Sequence, residues 1–221
     1  MTDDVTALSV SATPTTRRSS RKPGAGRRRD PSIDDRLRRA ARALYARDGW
    51  AGFHFDGVAK AAGVSKDAIY RRYTDAQALL LDALADQSIP TLAADEPPEQ
   101  ALIAFAHDLF RYFAGGDGYA NLRVHVDGPQ HPAILQQYRN RVVEPQLAKA
   151  VEVLEQARRD GRIDADVSPS AVIEALGGAV MICALASPPL GAVEPTDAAV
   201  ARQLTAFVQQ ILHGRVTDPR S

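Results

Sequence analysis

The sequence predicts an all-α protein of about nine helices. After about residue 30, apolar residues recur at helical spacing in one segment after another, and no segment shows the sustained alternation of a strand. Glycine and proline separate these segments, as they do where helices begin and end. With 221 residues and 45% hydrophobic content, the chain can also bury a substantial core.

Composition excludes several classes of protein. Cys183 is the single cysteine, so no disulfide can form within the chain, and its lone thiol fits a reducing cytoplasm. The sequence contains no run of about 18 uncharged apolar residues, and its opening "MTDDVTALSV" lacks the basic start and apolar stretch of a signal peptide. We therefore expect a soluble, cytoplasmic protein without a membrane segment.

Charge is unevenly distributed, although the 27 basic and 27 acidic residues cancel. Residues 17–29 contain seven basic residues and no acid, whereas residues 87–221 contain 11 basic and 16 acidic residues. A basic end suggests a polyanionic partner. Residues 1–30 are rich in Ser, Thr, Pro, Gly and Arg, which predicts a disordered tail. This basic tail is either an arm that lies along phosphates or a solubilising segment, and the sequence leaves both open.

The first helix is predicted from Ile33 to Asp48. Ser32 can cap it, with Asp35 three residues later in a capping-box-like pattern, and Gly49 is expected to end it. Its apolar residues fall on one side of the helix. The arginines expected on the outer side are Arg36, Arg39, Arg42 and Arg47.

Three helices are predicted in quick succession over residues 54–87. A short helix carries Phe55 and Val58 and ends at Gly63, where a left-handed backbone favours glycine. Ser65 caps a second short helix over residues 66–73, and Thr74 or Asp75 caps a longer one. Two helices joined by a short turn with glycine predict a helix-turn-helix unit.

The pattern stays helical beyond the linker "PTLAADEPPEQ". Helices are predicted in "PPEQALIAFAHDLFRYFAGG", over about 119–126, and from Pro132 to Asp160, where Pro145 predicts a kink or a break. "SPSAVIEALGGAVMICALA" predicts another helix, capped by Ser168, and the last is predicted over about 196–213.

The helix over residues 66–73 carries the side chains that a groove-binding helix needs. Lys66 and Arg71 or Arg72 can donate to guanine or phosphate, and Tyr70 can donate to phosphate. Asp67 favours the helix start through the dipole but repels phosphate, unless it accepts from a cytosine amino group. The alternative is a helical corner with simply solvated basic residues.

The stretch "GWAGFHFDGVAKAAGVSKDAIYRRY", followed by "ALLLDAL", resembles the TetR family of bacterial transcriptional regulators. The resemblance covers residues 31–91. "HPAILQQYRNRVVEPQ" and "QARRDGRIDADVSPS" look like one effector-domain type of this family. The resemblance implies a DNA-binding domain over residues 31–91, and over residues 92–221 a larger helical domain that binds a small molecule and forms a homodimer.

Carried onto this sequence, the resemblance implies a set of DNA-binding residues. They are His54, Ser65, Lys66, Asp67, Ala68, Tyr70, Arg71, Arg72 and Tyr73. Three positions depart from the family pattern: His54 replaces the usual Ser or Thr cap, Asp67 the usual Gly, and Ala76 the usual Lys. We expect one phosphate contact to be missing at Ala76.

An aromatic stripe and an apolar segment are candidates for the wall of a ligand cavity. The candidate ligand-binding residues are Phe105, Leu109, Phe110, Phe113 and Met181. Such stripes more often belong to an ordinary helical core, and Met181 fits a core as well as a pocket, so both interpretations stay open. Gly177, Gly178 and Ala179 permit close approach of a second backbone, so the helices near 170–186 and 196–213 are predicted to form the homodimer interface.

Catalytic and metal sites find no support in the sequence. His107, His125 and His131 do not have the spacing of a compact ligand set, and no Ser lies in a nucleophile turn. No cofactor is expected. The sequence therefore predicts a ligand-responsive repressor that binds a palindromic double-stranded DNA operator as a homodimer. The alternative is an all-α ligand-binding or interaction protein with weakened DNA contacts.

Overall fold

The computed structural model describes residues 31–116, 118–187 and 198–214, which form helices and no strand. The helices in chain order are α1 (Pro31–Gly52), α2 (Phe55–Ala62), α3 (Lys66–Tyr70), α4 (Ala76–Ala85), α5 (Pro98–Ala114), α6 (Tyr119–Asp127), α7 (Pro132–Tyr138), α8 (Glu144–Arg159), α9 (Pro169–Ala186) and α10 (Ala198–His213). The predicted tail over residues 1–30 and the predicted first turn of the last helix lie outside these ranges. The all-α prediction is confirmed.

A π-helical turn over Arg139–Val143 joins α7 to α8. It lies directly before Pro145, which has no N–H to donate within the helix. The predicted interruption near Pro145 is therefore confirmed, in the form of a widened turn. With residues 132–159 counted as one interrupted helix, the described residues contain nine helices, as predicted.

The ends of α1 differ from the prediction. The helix begins at Pro31, so Ser32 lies inside the first turn and the expected Ser32 cap is wrong. Gly49 does end the regular helix, because its φ of 67° lies in the left-handed region, and a further turn continues to Gly52. The guanidinium of Arg123 on α6 donates to the carbonyl of Ala46 at 2.9 Å and so binds this end of α1.

Arg42 is buried, contrary to the predicted outer position. Only 6% of it is exposed, and its Nη1 donates to the carbonyls of Ala83 at 3.0 Å and Asp86 at 3.4 Å. The last carbonyls of a helix have no partner within it, so a guanidinium there can be buried at little cost. Arg42 thus attaches α1 to the end of α4.

The helix-turn-helix unit forms as predicted from α2 and α3. Gly63 has a φ of 63°, and its N–H and that of Val64 donate back into the end of α2. Asp75 rather than Thr74 caps α4, since its carboxylate accepts from the N–H of Ala78 at 2.8 Å. The second helix of the unit is shorter than expected, because α3 ends at Tyr70.

Two apolar clusters form the core. One contains α1–α4 together with Ala120 and Val124 of α6 and several residues of α7. The other contains α5, α8, α9 and α10 together with Leu122 of α6. Because α6 contributes to both clusters, it connects the first four helices, which we call the head, to the remaining helices, which we call the body.

The α9 helix is long and apolar enough to cross a membrane by length and composition alone. In this fold it packs against α5, α8 and α10, and Val172, Leu176 and Val180 are buried there. Packing within the body accounts for the apolar residues on its buried side.

Candidate DNA-binding surface and ligand pocket

One edge of the helix-turn-helix unit is exposed and polar. Lys66, Asp67 and Arg71 are exposed there, and Tyr70 is exposed over 62% of its surface. Tyr70 is held by an edge contact with Phe55, with ring centroids 5.1 Å apart. We call Ser65–Arg71 the exposed edge. It presents donors from the first turn of α3 onward, as a helix entering a groove does.

An acidic residue of α2 lies beside this edge and was not predicted as part of it. The Nζ of Lys66 lies 2.5 Å from a carboxylate oxygen of Asp56. The hydrogen bond to Asp56 raises the pKa of Lys66 above its ordinary value. Lys66 is therefore charged and available, but its ammonium starts from an ion pair that phosphate contact must replace.

Three residues implied by the family pattern do not face outward. Ala68 is buried, with 6% of it exposed. Arg72 forms an ion pair with Asp34 of α1 and donates to the carbonyl of Ala68 at 2.9 Å; its side chain is 8% exposed. The hydroxyl of Tyr73 donates to Asp82 at 2.8 Å. These side chains fix α3 to the rest of the head, so we do not retain them as DNA contacts.

One departure from the family pattern has a visible consequence. His54 precedes α2 and makes no side-chain cap, because its Nδ1 lies 2.8 Å from the carbonyl of Gly52 instead. Ser65 occupies the N-cap position of α3, also without a side-chain cap bond. Both residues are exposed.

Asp82 on α4 collects contacts from several elements. Its carboxylate accepts from Tyr73 after α3, from Arg38 of α1 at 3.4 Å, and from Arg141 of the π-helical turn at 3.4 Å. Burial and the neighbouring Asp82 carboxylate raise the pKa of Tyr73. One carboxylate therefore connects the residue that follows α3, the helix expected to read DNA, to the π-helical turn of the body.

A cavity of about 350 Å³ lies in the body. Four of the five predicted ligand-binding residues line it: Phe105, Leu109, Phe113 and Met181. Phe110 does not; it is 4% exposed and packs in the second apolar cluster. The volume falls in the range of about 300–1,000 Å³ that small-molecule sites occupy.

Polar residues of the cavity were not predicted. His125 of α6, Tyr138 of α7, and Gln146 and Lys149 of α8 line it together with the aromatic residues. Burial lowers the pKa of His125, and the charge of Arg139 lowers it further. The position of His125 in the cavity could not be predicted from its own helix, because the cavity wall is assembled from five separate helices.

A buried asparagine links this cavity to α4. Asn121 is 0% exposed, and its Nδ2 donates to the hydroxyl of Tyr138 at 3.1 Å and to the carbonyl of Leu84 at 3.2 Å. The side chain of Gln87 donates to its Oδ1. Burial raises the pKa of Tyr138 to about 12. The hydroxyl of a cavity-lining residue thus contacts Asn121, which in turn contacts the last turn of α4.

The histidines considered as metal ligands do not meet. His131 packs against Trp50, with ring centroids 5.9 Å apart, and His125 packs against Tyr138. Within residues 31–116, 118–187 and 198–214, no three His, Cys, Asp or Glu side chains form a cluster that could hold a metal ion.

A helix-turn-helix head with an exposed basic edge, joined to a helical body with an apolar cavity, defines the class of helix-turn-helix transcriptional regulators. Family comparison places the chain within that class. The family of bacterial regulatory proteins of the TetR type matches residues 37–83, and the tetracycline repressor-like C-terminal domain matches residues 96–208, just over half of the chain. The chain belongs to the TetR family.

Individual relatives agree with this assignment. An uncharacterised helix-turn-helix-type transcriptional regulator, YdeS of Bacillus subtilis, is 22% identical over 70% of this chain and 79% of its own. A TetR-family regulator of Mesorhizobium loti shares the fold with a TM-score of 0.66 and 20% identity, over 83% of this chain and 96% of that one. The regulator FadR of Bacillus subtilis, solved with stearoyl-CoA, has a TM-score of 0.61 and 13% identity, over 82% and 98%.

The chain is therefore a TetR-family transcriptional regulator with a ligand-binding C-terminal domain. The matched families consist of transcription regulators.

Proposed function

We propose that this protein is a ligand-released repressor that binds a palindromic operator as a homodimer. The observation that carries the proposal is the buried chain of hydrogen bonds from cavity-lining Tyr138, through Asn121, to Leu84 at the end of α4. It gives a cavity occupant a physical route to the head. The proposal retains domain limits of 31–91 and 92–221 and a cytoplasmic location, where operator DNA is found.

The exposed edge supports the DNA-binding half of the proposal. Lys66, Tyr70 and Arg71 supply an ammonium, a hydroxyl and a guanidinium on one exposed surface. Phosphate contacts of this kind position a helix, and one or two base contacts then specify sequence. A single short helix such as α3 reads few base pairs, so a twofold pair of heads is needed for useful specificity.

An apolar stripe on α9 supports the homodimer. The stripe consists of the exposed residues Ala171, Ala175, Gly178, Ile182 and Leu185. Their spacing alternates between four and three residues, so they lie on one face of the helix. Ile182 is 66% exposed and Leu185 42%, and a side chain added at Gly178 would meet no atom within 4 Å. A second copy that brings α9 and α10 against this stripe would bury it as a four-helix bundle.

Release by ligand follows if a cavity occupant favours a different position of α4. Tyr138 and Val142 line the cavity, and the neighbouring π-helical turn contacts Asp82 of α4 through Arg141. An occupant that displaces α7 therefore moves contacts in the last turn of α4, at Asp82 and Leu84. The separation of the two reading helices then no longer matches successive major grooves, and operator affinity falls.

The acidic side chains on the exposed edge favour a second candidate, an all-α ligand-binding protein with weakened DNA contacts. Asp56 and Asp67 place two carboxylates where phosphates would lie. Enrichment of fragmented genomic DNA from the source organism by the purified protein distinguishes the two functions. The repressor proposal expects recovery of fragments that share a palindrome; recovery of unrelated fragments in proportion to their abundance contradicts it and supports the second candidate.

A further inference from the structure

The formal charge on the described wall of the cavity is positive only. Among the described residues that line the cavity, Lys149 alone has a formal charge at neutral pH, and none carries a carboxylate. His125 does not add a second cation, because burial and Arg139 hold its pKa below the ordinary value of 6.5. The remaining lining residues are apolar or carry neutral hydroxyl, amide or backbone groups.

Lys149 lies at the mouth of the cavity. It and Thr91 are exposed, whereas Phe105, Tyr138 and Ile173, which form a buried part of the cavity wall, are not. Lys149 forms no ion pair with any residue of the described ranges. Its ammonium is therefore available to a ligand whose apolar part occupies the buried wall.

We propose that the cavity binds a hydrophobic carboxylic acid in its ionised form, with the apolar body against the buried wall and the carboxylate beside Lys149. The inference rests on the proposed function, since it names the ligand class of the same cavity. Burial of apolar surface supplies most of the affinity, and the ammonium selects the charge. A cationic ligand of equal shape meets a like charge and no acid, and burying such a charge without a partner is costly.

The test compares three probes with one alkyl chain: decanoate, decanol and decylamine, each below its micelle-forming concentration. Isothermal titration calorimetry on the full-length protein is expected to rank them in that order of affinity. Lys149→Gln is expected to lower the affinity for decanoate by about 3- to 10-fold, the range of a partly exposed, charge-assisted contact. The same variant leaves decanol affinity unchanged, and Lys149→Arg retains decanoate affinity.

Arg159→Gln is the matched control, because Arg159 is an exposed cation of the same helix that does not line the cavity. It leaves decanoate affinity unchanged. The proposal would be overturned by any of three results: equal affinity for decanoate and decanol, the same decanoate affinity in Lys149→Gln as in the wild type, or no decanoate binding.

A second readout separates this proposal from the proposed function. If decanoate binds with the expected dependence on Lys149 but DNA affinity stays the same in its presence, ligand release fails and the ligand class stands. If decanol binds and releases DNA as well as decanoate does, the ligand class fails and ligand release stands.

Discussion

The amide of Asn121 lies 3.1 Å from the hydroxyl of Tyr138, so a fully buried residue of α6 contacts the wall of the ligand cavity. The same nitrogen lies 3.2 Å from the carbonyl of Leu84 in α4. A buried donor that loses a partner costs about 1–3 kcal/mol, which is enough to bias the position of a helix. This arrangement makes Asn121 a buried hydrogen-bonded connection between the cavity wall and the head.

Removal of the Tyr138 hydroxyl should uncouple ligand from DNA. We expect Tyr138→Phe to leave the DNA affinity of the ligand-free protein close to wild type, because the bond from Asn121 to Leu84 remains. The ratio of DNA affinities without and with decanoate should fall toward one. Fluorescence anisotropy with labelled operator measures both affinities. Tyr119→Phe, which removes a hydroxyl from the same helix as Asn121 without a contact to α4, should keep the wild-type ratio.

Two adjacent arginines should behave in opposite ways. Arg72→Ala breaks a largely buried ion pair with Asp34, and we expect a loss of about 3 kcal/mol in the free energy of unfolding. Arg71→Ala removes an exposed side chain and should change this free energy by less than about 0.5 kcal/mol. Urea unfolding followed by circular dichroism measures both. Equal stability of the two variants would show that Arg72 is not a structural residue.

Gly49 and Gly63 have nearly the same φ but different surroundings. A Cβ at Gly63 would meet nothing within 4 Å, so Gly63→Ala should cost about 1 kcal/mol for the left-handed backbone alone. A Cβ at Gly49 would lie 2.5 Å from the guanidinium of Arg123. Gly49→Ala should cost about 2 kcal/mol or more, since a positive φ with its ψ of −168° is almost restricted to glycine and Arg123 must also leave the carbonyl of Ala46. Thermal unfolding ranks the stability of the two variants. A larger loss of stability for Gly63→Ala would contradict this account of Gly49.

A charge on the α9 stripe should separate the proposed dimer. Ile182→Glu places a carboxylate in the middle of the stripe, and we expect a monomer by sedimentation velocity. Val126→Glu is the matched control, because Val126 is 55% exposed on α6, away from the stripe. It should keep the wild-type state. A dimer that survives Ile182→Glu would place the interface elsewhere.

The sequence predicted the helices well because their signals are local. Apolar spacing, Gly63 and Asp75 each act within a few residues, and each is found where the sequence placed it. The cap at Ser32 was wrong because Pro31 also begins a helix well, and the pattern alone could not rank the two.

Long-range contacts determine the features that the sequence did not predict. Arg42 resembled the other arginines of α1, and its burial depends on carbonyls of α4 about forty residues away. Phe110 and Phe113 belong to one stripe, but only Phe113 reaches the cavity. Asn121 stands out as a polar residue among apolar neighbours in α6. Its hydrogen-bond partners Leu84 and Tyr138, however, lie on two other helices. Such residues are defined by tertiary packing, which helical periodicity does not report.

The most direct test of the account measures the salt dependence of operator binding for variants of the exposed edge. Fluorescence anisotropy with a palindrome from the enrichment experiment is carried out for Lys66→Ala, Tyr70→Ala and Arg71→Ala, with Arg159→Ala as the control. We predict that all three edge variants bind the operator more weakly. Loss of either cation should also reduce the steepness of log affinity plotted against log salt concentration by about 1. Wild-type affinity and salt dependence in the three variants, or equal affinity for unrelated DNA, would contradict the claim that Lys66, Tyr70 and Arg71 bind the operator.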